Sequence, residues 1–211
     1  MINVRMMTCG AYAENAYLVW DDERPDCVLI DPGDDLPAIE GALAASGKRL
    51  SHILLTHGHF DHTLACAPLR EKYGAEVLIH PLDAHMLTEE SASLMNRSVS
   101  RLPFMPLRDY KAYPSGPCFG LVAAGLTFEG IHTPGHTPGG VSLVLPAGRC
   151  VFTGDTLFAY GYGRYDFPGG DLYELMSSIR GLLALDGDYT VYSGHGEEDS
   201  LRSIARRWRT E

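Results

Sequence analysis

Thr56-His57-Gly58-His59-Phe60-Asp61-His62, directly after the apolar run Ile53-Leu54-Leu55, decides how the rest of this chain is read. Three histidines and one aspartate fall within six consecutive positions. His57 and His59 are two apart, so on an extended segment leaving a strand they project to one side. Asp61 and His62 follow at a turn and can aim at a second point a few ångströms away. So dense a group of metal-capable side chains, with no apolar periodicity among them, makes a poor core strand and a good binding loop.

Outward from that run, the chain reads as ordinary globular protein. Its 211 residues suit a single domain over 1–211. The formal net charge of −10 argues against a nucleic-acid partner on electrostatic grounds. Bound divalent cations would offset part of that acidity. No apolar run is long enough to cross a bilayer, and Met1-Ile2-Asn3-Val4-Arg5 does not open a secretory signal, so no membrane partner is expected. Cys9, Cys27, Cys66, Cys118 and Cys150 are odd in number, far apart and without a Cys-x-x-Cys pair, which fits reduced thiols in a cytoplasmic protein.

Short apolar runs predict strands over 2–8, 16–20, 27–30, 52–56, 76–80, 126–132, 141–145, 150–153 and 189–192. Helices are expected over 36–45, capped by Asp34 or Asp35 and ended by Gly47, and from 62 or 63 to 73, closed by Gly74. Further helices are expected from Pro81 toward Met95, from the Asp171/Glu174 capping pair to Leu185, and from Glu197 to Arg209. The segment 96–118, with four prolines, is the least regular. Strands and helices in this order suggest two sheets sandwiched between helices, an α/β (α+β) arrangement.

Three more metal-capable residues, His136, Asp155 and His195, each sit in a glycine-bearing loop just past a predicted strand. With the opening run they make five histidines and two aspartates. The set divides into His57, His59 and His136 around one ion and Asp61, His62 and His195 around another, with Asp155 bridging. Imidazole and carboxylate ligands suit zinc first, and also iron or manganese. His52, His80, His85 and His132 lie in strand or helix pattern and read as structural or surface residues.

Asp31-Pro32-Gly33, the Thr-His-x-His-x-Asp-His run, Thr133-Pro-Gly-His136-Thr, Gly154-Asp155 and Gly194-His195 together resemble the metallo-β-lactamase-fold hydrolases across nearly the whole chain. The resemblance implies a four-layer αββα sandwich with a dinuclear site between the sheets. Gly154-Asp155-Thr156-Leu157-Phe158, then Gly161-Tyr-Gly-Arg164 and Asp166-Phe167-Pro-Gly-Gly170, look most similar to the glyoxalase II (hydroxyacylglutathione hydrolase) branch. That branch implies hydrolysis of a small-molecule thioester, S-D-lactoylglutathione-like, by a hydroxide bridging two divalent metal ions. Asp61 and Asp155 then have catalytic roles besides ligation: Asp61 orients the hydroxide and Asp155 sets the metal spacing. Arg164 and Tyr165 are the expected substrate contacts.

The match departs from that branch at three places. The C-terminal helical region that supplies glutathione contacts in glyoxalase II enzymes has no counterpart after His195, which resembles the short bacterial members. Asp166 stands where a tyrosine is expected, and so does Glu197, an acidic pair that would repel an anionic tripeptide. A persulfide dioxygenase with one iron on His57, His136 and Asp155 is the rival within the fold. A metal-binding protein without catalysis is the rival outside enzymology.

Overall fold

A computed structural model of the chain describes residues 1–100 and 102–209. One sheet runs in chain order: β1 (Ile2–Cys9), β2 (Glu14–Asp21), β3 (Asp26–Ile30), β4 (Arg49–Leu54), β5 (Glu76–Ile79) and β6 (Lys111–Ala112). It is antiparallel from β1 to β3 and parallel from β3 onward. The other sheet holds β7 (Cys118–Ala123), β8 (Leu126–His132), β9 (Val141–Leu145), β10 (Cys150–Gly154), β11 (Thr190–Ser193) and β12 (Asp199–Ser200). There β10 and β11 pair in parallel and the other neighbours are antiparallel.

The strand alternation builds the layers. In β2 and β3, Ala16, Leu18, Cys27 and Leu29 face one apolar cluster, while Tyr17, Val19, Val28 and Ile30 face another. The first cluster takes Ile39, Ala42 and Leu43 from α1 (Leu36–Ser46), and Cys66 and Leu69 from α3 (Cys66–Tyr73), which follows the single turn α2 (Phe60–Thr63). The second meets Phe128, Leu143, Leu145 and Phe152 of the facing sheet. On the far side of that sheet, Val144, Val151 and Val191 pack on Leu175, Ile179 and Leu182 of α4 (Leu172–Leu183) and on Leu201 and Ile204 of α5 (Leu201–Trp208). The order is helix, sheet, sheet, helix, the four-layer sandwich that the motifs implied. Each such large apolar side chain contributes about 1.5–3 kcal/mol when fully buried.

Local signals set most helix ends. Asp35 accepts from Ala38 N at 3.2 Å, and Gly47 closes α1 at φ 65°. Asp171 accepts from Glu174 N at 2.9 Å at the start of α4. Three expectations are corrected. The helix over 62–73 is broken, because Ala65 N donates to Pro32 O and Gly33 O instead of continuing the helical ladder. From 81 to 95 there is no continuous helix but 3₁₀ turns at Ala84–Leu87 and Met95–Arg97, where Asp83 gives its carboxylate to distant loops rather than to a cap. The last helix starts at Leu201 rather than Glu197, because Asp199–Ser200 pairs with β11 first and Ser200 then caps α5.

Among the described residues no helix is long and apolar enough to cross a membrane. The five cysteines are unpaired, four of them buried and Cys118 exposed.

Candidate metal centre

Asp31 follows β3, His57 and His59 follow β4, Asp155 follows β10 and His195 follows β11. The carboxyl ends of parallel strands thus open toward one place, the usual position for a site in an α/β sheet. Asp61 and His62 ride on α2, and His136 comes in on the β8–β9 loop, closed by Thr133 N donating to Gly140 O at 2.7 Å. All seven residues singled out in the sequence converge. The ligand atoms of His57, His59 and His136 lie within 4.8 Å of one another, and so do those of Asp61, His62 and His195. Asp155 stands between the groups: Oδ2 is 3.5 Å from His136 Nε2 and 3.6 Å from His195 Nε2, and Oδ1 is 3.4 Å from His62 Nε2. The first group is buried, whereas Asp61 and His195 are partly open to solvent.

Hydrogen bonds behind the rings decide which nitrogen faces the centre. Thr56 Oγ1 donates to Asp31 Oδ2 at 2.5 Å, so it must accept from His57 Nδ1, 3.1 Å away. His62 Nδ1 donates to the same Asp31 oxygen at 3.0 Å. His136 Nδ1 donates to the Arg164 carbonyl oxygen at 2.5 Å, and His195 Nδ1 to the Tyr12 carbonyl oxygen at 3.2 Å. With Nδ1 protonated in all four, each Nε2 offers its lone pair inward. His59 instead turns Nδ1 toward His136 Nε2, at 2.9 Å.

A cation fits these residues. Among the described residues, the buried side-chain atoms without a hydrogen bond are His57 Nε2, His62 Nε2, Asp155 Oδ1 and both oxygens of Glu14. Buried polar atoms are rarely left this way, and three of these belong to the converging set. Burial pushes the His57 imidazole well below its ordinary value, and the neighbouring histidines push the same way. His59 falls to about 3, by burial first and His136 second. His57 and His59 therefore offer neutral lone pairs. Burial also opposes charge on His62, yet Asp155 and Asp61 outweigh it and raise His62 well above the usual range. The carboxylates around His62 thus favour positive charge in this half of the centre. Burial pushes the Asp61 carboxyl up, but His62 and His195 outweigh that and hold it below its ordinary value. Asp155 is held well below its own range, against burial, chiefly by His62.

Several residues that shape the centre were not legible as site residues. Asp31, at φ 48°, fixes the rings of both His57 and His62; its Asp-Pro-Gly setting was visible, its partners were not. Asp83 accepts from Gly58 N, Thr137 Oγ1 and Gly139 N and so ties the His57–His59 loop to the His136 loop. Asn15 Nδ2 donates to Ser193 O and Gly196 O, at 3.2 and 2.8 Å, across the His195 loop. A Cβ on Gly194 would lie 2.6 Å from His62 Cε1, which explains glycine there.

Arg164 enters the centre by its backbone oxygen. Its guanidinium pairs with Asp166 at 2.6 and 2.8 Å and lies 4.2 Å over the Phe167 ring. The acidity of Asp166 is thereby offset, contrary to the repulsive pair expected with Glu197. Tyr165 is 40% exposed. Beside His195 a cavity of about 420 Å³ is lined by Phe158, Ala159, Tyr160, Gly196 and Glu197. His80 and His132 stack on each other at 4.4 Å, and His52 accepts from Ala124 N. Arg207 pairs with Asp199 and lies over the Tyr160 ring.

A family model described as the metallo-beta-lactamase superfamily matches residues 9–195. The chain is 36% identical over 205 residues to the hydroxyacylglutathione hydrolase GloC of Haemophilus influenzae, covering 95% of this chain and 93% of that one. It is similar to the crystal structure of TTHA1623 in a di-iron-bound form, with a TM-score of 0.82, 40% identity and 96% and 98% of the two chains covered. It is similar also to the crystal structure of the BLEG-1 B3 metallo-beta-lactamase, with a TM-score of 0.88, 31% identity and 96% and 95% covered.

Proposed function

This chain belongs to the metallo-beta-lactamase superfamily, and from that premise we propose that it is a metal-dependent thioester hydrolase of the hydroxyacylglutathione hydrolase type, working with two divalent cations. The observation that carries the reading is the set of four imidazoles whose Nδ1 is tied back, so that four Nε2 lone pairs and Asp155 converge. His57, His59 and His136 would hold one cation, Asp61, His62 and His195 the other, and Asp155 both. GloC, by its name, supports the substrate class. Zinc is the first choice of metal; the di-iron form of TTHA1623 supports iron as the alternative.

When bound, such a cation pair supplies Lewis acidity, lowering the pKa of water and drawing charge from an acyl carbonyl. The chain's own residues do the rest. Asp61, ionised and partly open to solvent, accepts a hydrogen bond from the attacking water and orients it. Asp155 sets the spacing of the two groups. A thiolate leaves without a strong acid, so no protonating residue is required for a thioester. The cavity beside His195 receives part of the substrate, and Tyr165, exposed on the Gly163–Gly170 loop, is a further substrate contact in this reading. Arg164 reaches a substrate carboxylate by releasing Asp166. The acidic chain is suited to a small-molecule substrate in the cytoplasm rather than to nucleic acid.

A panel assay tests this. Zinc-loaded protein should hydrolyse S-D-lactoylglutathione or an acyl-coenzyme A and leave simple lactones and β-lactams nearly untouched. Turnover of lactones or β-lactams without thioester turnover would refute the substrate class.

A further inference from the structure

Glu14, the first residue of β2, is 1% exposed, and neither of its carboxylate oxygens makes a hydrogen bond. Burying an acid without donors is unfavourable, so its surroundings should show what it is there for. Glu14 Oε1 lies 3.7 Å from His62 Nδ1. Its backbone forms an isolated antiparallel bridge with His195. The next residue holds the same loop, with Asn15 N donating to Gly194 O at 2.8 Å and Asn15 Nδ2 to Ser193 O and Gly196 O. These contacts all fall on the His62 and His195 half of the centre.

Asp31 is the other carboxylate behind His62, at 3.0 Å, but through Thr56 it also holds His57 and so serves both halves. Among the described residues, His62 is the one histidine within 4 Å of the Glu14 carboxylate. We propose that Glu14 is a positioning residue for the second cation, acting through His62 and the neighbouring His195 loop to set the affinity of that site and not of the first. The proposal rests on the two-cation reading above and names what tunes its second half.

Zinc titration of the metal-free protein against a chelator of known affinity tests it, in the wild type and in Glu14→Gln and Glu14→Leu. A His195→Ala variant, which keeps the three imidazoles of the first group, marks which constant belongs to that group. The expected result is two constants in the wild type. Both Glu14 variants should keep the first and weaken the second by about 10–100-fold, the usual effect of removing a partner behind a ligand. The melting temperature of the metal-free variants should be equal to or above that of the wild type, because a buried acid without donors has been removed. A second constant unmoved in both variants would overturn the inference alone. Weakening of both sites together with a lower melting temperature would overturn it too, by showing general support of the fold. A single constant in the wild type would overturn the two-cation reading, and this inference with it.

Discussion

His59 Nδ1 and His136 Nε2 face each other at 2.9 Å, on loops that leave different sheets. His136 has its other nitrogen committed to Arg164 O, so its Nε2 carries a lone pair. Without a cation the contact needs a proton on His59 Nδ1, while burial keeps His59 from holding two protons until about pH 3. A cation shared by both lone pairs satisfies them together. His136→Ala should therefore lose one zinc per chain and about 10²–10³-fold in kcat, the scale for removing one preorganised electrostatic contact. Mass spectrometry of the metal content and a thioester assay read it, with unchanged circular dichroism as the control for folding. Full metal content in the variant would contradict the assignment.

Asp83 holds the two histidine loops together by accepting from Gly58 N, Thr137 Oγ1 and Gly139 N. Burial raises its carboxyl against the pull of those three donors. Asp83→Ala strands buried donors at about 1–3 kcal/mol each, so the metal-free variant should lose at least ~2 kcal/mol in urea unfolding. An unchanged unfolding midpoint would show that the strap is not needed to hold the loops.

Asp166 occupies the guanidinium that a glutathione carboxylate would need. Asp166→Asn should lower KM for S-D-lactoylglutathione by about two- to fivefold, the scale of an exposed ion pair, and leave kcat alone. A higher KM would mean that the pair holds the loop in its working shape and that Arg164 is not a substrate contact.

The same pair sets a pH expectation. Arg164 holds the Asp166 carboxyl at about 2, from an ordinary 3.8. The folded value lies below the unfolded one, so the pair's contribution is fully present above about pH 4 and is lost as pH falls through about 2. It is constant near neutrality, so the pair adds no pH dependence to activity there. Carbon-13 titration of the Asp166 carboxyl should give a midpoint near 2, returning toward 3.8 in Arg164→Gln. A midpoint near 4 in the wild type would show that the pair does not persist in solution.

The strands were legible because apolar residues come in short runs with clear turn residues between them, and Asp35, Gly47, Gly74 and Asp171 mark helix ends by local chemistry. The seven converging residues were legible by type and by their place after strands. What stayed hidden depends on partners far along the chain. The helix expected through 62–73 breaks because Pro32 and Gly33 take the Ala65 amide. β7 was hidden because its outward positions, Cys118, Gly120 and Val122, do not alternate in polarity with its inward ones. The local sequence around Asp31, Asp83, Asn15 and Glu14 does not say which loop each will hold.

The most direct test of a two-cation thioester hydrolase is the metal content of the purified protein measured alongside turnover of S-D-lactoylglutathione as a chelator is added. The expected result is two divalent cations per chain, with turnover lost as they are removed and regained on adding zinc. One iron per chain, with oxygen consumed on glutathione persulfide and no thioester cleaved, would contradict it.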